Sequence, residues 1–291
     1  MIAGIDLGGT QVRVAVGDGN GRIVGTRRCP TGQLRTAPRV VSWASQQVTK
    51  LCGGEPLRGL AIGAPGPIDQ SRGVLANPPN LPGWRDVPLV RMLGEELGCP
   101  VRLENDANLA AVGEHRRGAG QGSHNMIYIT WSTGVGGGLI MNDHLWSGEH
   151  GSAGEIGHMI IDPDGPLDAC GQRGCLEAFC GGRALGERYQ VPAAVLFQSA
   201  AEGDVEARRH VEEAARYMGL ALINLANLFD PELFVMGGGV TRSWPQVAPV
   251  LRSTLRSSPY VRPSRRPRLR RARLGDDGGL VGAVEWARMH L

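Results

Sequence analysis

The chain has 291 residues, 42% of them hydrophobic and 20% charged, with a net charge of +3. That length holds two domains and a sizeable core, and the composition is that of an ordered globular protein, which excludes a disordered chain. A charge this small does not by itself point to nucleic acid, and no run reaches the ~18 consecutive apolar residues of a membrane span.

The apolar run 1–5 is predicted as a strand that ends in Asp6 and turns through Gly8, Gly9 and Thr10. Runs 11–16 and 23–27 alternate and read as antiparallel strands joined through Asp18-Gly19-Asn20-Gly21. Helical spacing over 39–51 puts Val40, Val41, Ala44, Val48 and Leu51 on one face. A buried strand at 59–63 runs into the Pro/Gly loop 64–69, and a helix at 89–97 is ended by Gly98 and Pro100. A strand at 101–103 precedes a helix capped by Asp106 and running through Ala107, Ala110, Ala111 and Val112. Strands are predicted at 126–131 and 137–141 around the Gly-rich loop 132–138, then a loop-rich stretch to about 182. Helices at 183–199 and 205–228 follow, then a strand at 233–236 running into Gly237-Gly238-Gly239, a helix at 244–257, a strand at 268–273 and a last helix from 280. Alternating strands and helices make an α/β protein, and the repeated strand–glycine turn points to two distantly similar halves, with a hinge near 106–113.

The N-terminus enters its first strand without a basic n-region, so no secretory leader is expected and the cytoplasm is the expected compartment. Six cysteines are scattered at 29, 52, 99, 170, 175 and 180, which is no disulfide framework for this length. Arginines crowd positions 262–273 without interleaved aromatics, and the alternation there reads as a charged edge strand with a solvated face, not a nucleic-acid surface.

A strand that ends in an acid and turns through glycines brings backbone N–H groups to phosphate oxygens and a carboxylate to the metal travelling with them. Two such turns in one chain, at Asp6 to Thr10 and Ser132 to Gly138, predict two halves acting on a nucleoside triphosphate. Glu104-Asn105-Asp106 lies at a strand-to-helix junction, where Asp106 is either a simple cap or a general base with Asn105 on a substrate hydroxyl. Downstream, Gly154-Glu155-Ile156-Gly157-His158 precedes the knuckle Cys170-Gly171-Gln172-Arg173-Gly174-Cys175. A closed zinc site needs four ligands, and here His158, Cys170 and Cys175 are joined by Asp168 as the nearest fourth.

Over essentially its whole length the chain resembles the ROK family of sugar kinases, in particular its bacterial ATP-dependent glucokinases. The resemblance rests on Asp6 to Thr10, Gly63-Ala64-Pro65-Gly66, Pro79-Asn80-Leu81-Pro82-Gly83-Trp84, Glu104 to Asn108, Thr133 to Gly138, Gly154 to His158, Cys170 to Glu177 and Met236 to Gly239. It implies a two-domain actin-like, ribonuclease-H-like ATPase fold with its site in the interdomain cleft. The implied domains are 1–108 with 279–291, and 109–278. It implies Asp106 as catalytic base, with Gly66, Asn80, Asn105, Glu155, His158 and Glu177 at the sugar. Around the nucleotide it implies Asp6 with Mg²⁺, Gly8, Gly9, Thr10, Thr133 and Gly134 at the phosphates, and Gly237, Gly238 and Gly239 near the adenosine. The family's zinc knuckle reads Cys-x-Cys-Gly-x-x-Gly-Cys, and this chain departs from it by carrying Asp168 in the first cysteine position.

The implied reaction is ATP-dependent phosphorylation of a hexose, glucose to glucose 6-phosphate, with fructose, mannose, N-acetylmannosamine and N-acetylglucosamine as alternatives. A homodimer or higher homo-oligomer is implied, without nucleic-acid or membrane partners. Regulators of the family carry a helix-turn-helix segment before the kinase-like part; Asp6 in the first strand and a retained Asp106 favour turnover.

Overall fold

The computed structural model describes all residues from Met1 to Leu291. The chain forms two compact units, one of Met1–Gln121, Leu145–Ala153 and Asp276–Leu291, the other of Gly122–His144 and Gly154–Gly275. No helix is long and apolar enough to cross a membrane.

The first unit begins with β1 (Ile2–Leu7), β2 (Gln11–Gly17) and β3 (Ile23–Pro30), followed by α1 (Thr31–Leu34), α2 (Ala37–Cys52) and β4 (Gly59–Ala64). The small hairpin β5 (Ile68–Asp69) and β6 (Val74–Leu75), α3 (Leu89–Leu97), β7 (Val101–Asn105) and α4 (Asp106–Arg117) complete its first segment. The second unit holds β8 (Met126–Trp131), β9 (Val135–Met141), β10 (His144–Leu145), whose last residue falls in the first unit, then α5 (Leu176–Cys180), α6 (Gly182–Tyr189), α7 (Ala193–Glu202) and α8 (Val205–Phe229). It continues through β11 (Leu233–Gly237), α9 (Trp244–Ser257) and β12 (Arg268–Arg271), before α10 (Gly278–His290) returns to the first unit.

One sheet has the order β3-β2-β1-β4-β7 and the other β10-β9-β8-β11-β12. In the first, β1 pairs antiparallel with β2 and parallel with β4, and β4 is parallel to β7. In the second, β8 pairs antiparallel with β9 and parallel with β11, and β11 is parallel to β12. The same order and directions thus occur twice, which is the duplicated α/β design of the actin-like fold.

Strand β1 is buried along its whole length because both faces of its sheet are covered. Ala3, Ile5 and Leu7 enter the core with Val40, Val41, Leu89 and Leu93 from α2 and α3. Ile2 faces the other way, into the cluster of Leu109, Leu280 and Val284 from α4 and α10. Those two helices cross closely: a Cβ on Gly282 would run into the carbonyl oxygen of Leu109. The last helix is thereby locked to the unit that holds β1.

Most expected elements stand, with four corrections. Helix α4 is capped by Asn105, whose Oδ1 accepts from the amides of Ala107 at 2.8 Å and Asn108 at 3.2 Å, so Asp106 is its first residue rather than its cap. The strand expected at 137–141 begins two residues earlier, taking in Val135 and Gly136, because β9 starts pairing at Val135 opposite Trp131. The single helix expected over 183–199 is broken at Gln190, which takes φ of 56°, and α7 restarts after Pro192. The edge strand expected over 268–273 ends at Arg271. The expected domain division at 108 falls inside α4.

Replacing Gly282 with Val is expected to lower unfolding free energy by about 2–4 kcal/mol, read in urea titrations, because neither helix backbone can yield without losing the contact.

Candidate active site

Strands β1, β4 and β7 are mutually parallel, so the segments that follow them leave the same edge of the sheet. That edge carries Gly8 to Thr10, Pro65-Gly66 and Asn105-Asp106. The first turn is closed by Gly8 N–H donating to Gln11 O at 2.9 Å, which leaves the amides of Gly9 and Thr10 outside the turn's own bonds. Thr31 pins it from behind, its hydroxyl on Gly8 O at 2.7 Å and its amide on Thr10 O at 2.9 Å. Gly9 lies against Asn80: a Cβ there would come within 2.6 Å of the Asn80 carbonyl oxygen, so only glycine lets the two approach.

Asp6 is buried at the end of β1 and sits opposite Arg13 in the β1–β2 register. The Arg13 guanidinium donates to Asp6 Oδ2 and to the Asp276 carbonyl, and lies 3.7 Å from Asp277 Oδ1 at the start of α10. Burial pushes the Asp6 carboxyl above its ordinary value, and the Arg13 charge and hydrogen bond offset this only in part. Sequence reasoning missed Arg13, although the hairpin register that places it beside Asp6 follows from the turn at Gly8 to Thr10.

At the β7–α4 junction Asp106 is half-buried, with Oδ1 accepting from the Ala107 amide at 2.7 Å. Behind it Glu104 is 2% exposed, and its Oε1 accepts from Asn108 Nδ2 at 2.9 Å and from the Asn105 amide at 2.8 Å. Burial raises the Glu104 carboxyl, opposed by hydrogen bonds from Asn108, Asn105 and Gln70. Three groups of the same short motif therefore do different work: Glu104 fixes the junction, Asn105 caps the helix, and Asp106 is held at the helix's first turn.

In the second unit β8, β11 and β12 are parallel, and their following segments share an edge in the same way. The turn after β8 is closed by Ser132 N–H on Gly134 O at 2.9 Å. From below, the amides of Gly182 and Arg183 at the start of α6 bind the carbonyls of Ser132 and Thr133, both at 2.8 Å. Glu177 on α5 accepts the Val135 amide at 2.6 Å, so one of its oxygens is tied to this turn. Glu155 is exposed and precedes the short turn Ile156–His158. After β11 the chain passes through Gly238, with φ of 82°, and Gly239 begins a turn in which Thr241 Oγ1 donates to Gly238 O at 2.8 Å. Thr133 and Gly239 share the wall of a cavity of ≈ 890 Å³ that also meets α7 and α9.

His158, Asp168, Cys170 and Cys175 converge, each offering a ligand atom within 4.8 Å of the others. The two sulfurs are 3.7 Å apart, and His158 Nδ1 is 3.5 Å from Asp168 Oδ2. Tetrahedral zinc with Zn–S near 2.3 Å separates two thiolates by about 3.8 Å, and lighter ligands by somewhat less. The knuckle is shaped by backbone bonds, Asp168 N–H to Gln172 O at 2.8 Å and Gly171 N–H to Asp168 O at 2.9 Å. The Asp168 carboxylate beside it, with burial adding to the effect, pushes the Cys170 thiol up to about 11. Burial also pushes the Asp168 carboxyl up, but bonds from Cys170 and the amides of Cys170 and Ala169, with His158 nearby, outweigh this and leave it lowered. Three protonable donors thus surround an ionised carboxylate, a set that a zinc ion fits.

A family model, described as the ROK family, matches residues 2–290. The chain is 35% identical to the glucokinase of Streptomyces coelicolor, over 99% of this chain and 98% of that relative. Among solved structures it is similar to the ROK hexokinase of Thermus thermophilus, with TM-score 0.86 and 39% identity, covering 99% of this chain and 98% of the other. It is also similar to a ROK family glucokinase from Streptomyces griseus in complex with glucose and AMPPNP, with TM-score 0.82, 35% identity and 99% coverage of both chains.

The raised Glu104 carboxyl gives a stability signature. A carboxyl that binds its proton more tightly when folded contributes stability below its unfolded value, and this is lost as pH rises through the folded value. Replacing Glu104 with Gln keeps an acceptor and removes the buried charge. Its melting temperature relative to the unaltered protein is therefore expected to rise as pH climbs from 4 to 8, as thermal melts across that range will read.

Proposed function

This chain belongs to the ROK family, and we propose that it transfers the γ-phosphoryl group of ATP to the 6-hydroxyl of a hexose, glucose before others. The observation that carries this reading is the twice-built hairpin: each sheet turns after its central strand through a short, pinned loop, at Gly8 to Thr10 and at Ser132 to Gly134. Backbone amides of such loops suit phosphate oxygens.

In this reading Asp106 accepts the hydroxyl proton as the sugar oxygen attacks the γ-phosphorus, and the bond to the β,γ-bridging oxygen breaks to release ADP. Asn105 has spent its carbonyl on the helix cap, which leaves its amide nitrogen to donate to a hydroxyl oxygen. Glu155, and the Glu177 oxygen not tied to Val135, are acceptors suited to hydroxyl donors, with Gly66, Asn80 and His158 completing the sugar's surroundings. The amides of Gly9, Thr10, Thr133 and Gly134 meet charge on the transferring group. Asp6, whose Oδ2 is engaged by Arg13, would hold Mg²⁺, which when bound would neutralise charge on the phosphates.

Zn²⁺ is assigned to His158, Asp168, Cys170 and Cys175. When bound it would be structural, and these four residues as its ligands would fix the orientation of the His158 ring.

Purified protein with Mg-ATP is expected to phosphorylate glucose faster than mannose, fructose, N-acetylglucosamine or N-acetylmannosamine in a coupled assay. Binding of a hexose without turnover of any would contradict the reading. Replacing Asp106 with Asn is expected to lower kcat by about 10²–10⁴ while moving the melting temperature little, since Asn keeps the oxygen that caps Ala107. Elemental analysis is expected to find one zinc per chain, lost in Asp168→Ala and kept in Asp168→Cys; equal zinc content in all three proteins would remove Asp168 from the site.

A further inference from the structure

Of the six cysteines Cys170 is the exposed one, and it stands at the tip of a knuckle whose other sulfur, Cys175, is buried. The two sulfurs are 3.7 Å apart. Between them Gly171 and Gly174 take φ of 89° and 74°, a left-handed backbone that folds the tip back on itself. The Cys175 end is fixed: its backbone bridges to Ile160, and the next amide, of Leu176, donates to Met159 O at 2.9 Å. Gln172 holds the sulfur itself, its Nε2 donating to Cys175 Sγ at 3.1 Å and to His158 O at 2.9 Å. The Cys170 end is open, since nothing lies within 4 Å of where a Cβ on neighbouring Gly171 would stand. Bonded sulfurs lie about 2.05 Å apart, so closure asks ~1.7 Å of movement, within the swing of the exposed Cys170 side chain.

Asp168 in the first cysteine position narrows the chemistry. The four converging donors include two sulfurs rather than three, so oxidation inside the cluster has one possible disulfide product. Cys180, the next cysteine along the chain, is fully buried on α5 and donates to Leu176 O at 3.3 Å. His158 and Asp168 cannot replace what oxidation removes. A disulfide sulfur carries no thiolate charge, and a closed zinc site needs four donors.

We propose that Cys170 and Cys175 are a reversible oxidation site for hydroperoxides, and that the oxidised pair releases the zinc which the reduced pair holds. The second half rests on the metal assignment above; the first stands on the two sulfurs alone. The Cys170 sulfur attacks one oxygen of hydrogen peroxide and the O–O bond breaks. The departing hydroxide takes the Cys170 proton, leaving a sulfenic acid and water. The Cys175 sulfur then attacks the Cys170 sulfur and the S–O bond breaks. That hydroxide leaves as a second water with the Cys175 proton. Two thiols lose two electrons and the peroxide gains them; a dithiol returns them by exchange. Cys175 stands where a resolving thiol is needed, beside the oxidised sulfur and shielded from solvent.

Graded hydrogen peroxide added to the purified full chain, followed by blocking of free thiols and non-reducing peptide mapping, tests this. A Cys170–Cys175 crosslink is expected to form at least ~10-fold faster than buried Cys52 or Cys180 is modified, and dithiothreitol should restore both thiols. Zinc, read with a chromogenic chelator, should be released in step with the crosslink and rebind after reduction. Cys170→Ser should form no crosslink and leave Cys175 unmodified. Conversion of Cys170 to sulfinic or sulfonic acid without a crosslink would overturn the proposal, as would zinc retained by the crosslinked protein. If the purified chain holds no zinc, the metal assignment falls, and the crosslink map still decides the oxidation site. Should Cys170→Ser not fold, the map of the unaltered protein decides alone.

Discussion

Parallel strands deliver their following loops to one edge, and this constraint governs where chemistry can reside in the protein. In the first unit it gathers the Gly8 to Thr10 turn, Gly66 and Asp106 from segments about a hundred residues apart in sequence. In the second it gathers the Ser132 to Gly134 turn and the glycines after β11. The antiparallel partner of each central strand, β2 or β9, forces the turn to be tight, and glycine is what the tight turn and its close neighbours allow. Packing then holds the edge still. Thr31 ties down one turn and the start of α6 the other, so the amides are oriented before any ligand arrives, which is the condition for electrostatic stabilisation of a transferring group.

The acids of the first unit are separated in role by their surroundings more than by their spacing. Asp6 is buried and bound to Arg13, Glu104 is buried and surrounded by amide donors, and Asp106 stands half-buried at the first turn of α4. Of the three, only Asp106 combines partial exposure with a position on a rigid strand-to-helix junction. The proposed base must meet a hydroxyl and then release its proton, which needs that combination; Glu104 holds the backbone of the junction, and Asp6 is the carboxylate proposed for Mg²⁺.

Much of this was legible because the sequence patterns have direct physical causes. Strands β1, β2, β4 and β8 and helices α2, α3, α8 and α9 follow from apolar periodicity and from Gly or Pro at their ends. The convergence of His158, Asp168, Cys170 and Cys175 was legible from ligand chemistry in a glycine-rich segment. Misreadings came where a local preference met a tertiary partner. The glycine-rich run put Val135 and Gly136 in the expected loop, yet β8 supplies a ladder that holds them as strand. Asp and Asn are equally good caps, and only the backbone geometry at Asn105 chooses between them. Arg13 was within reach, since a hairpin through Gly8 to Thr10 sets it opposite Asp6.

The claim on which the account stands is that both glycine-bearing turns receive phosphate from the same nucleotide. Amide hydrogen–deuterium exchange at Gly9, Thr10, Thr133 and Gly134, with and without Mg-AMPPNP and glucose, measures this directly. The account predicts slowed exchange at both turns on adding the nucleotide. Protection at one turn alone, or at neither, would contradict it.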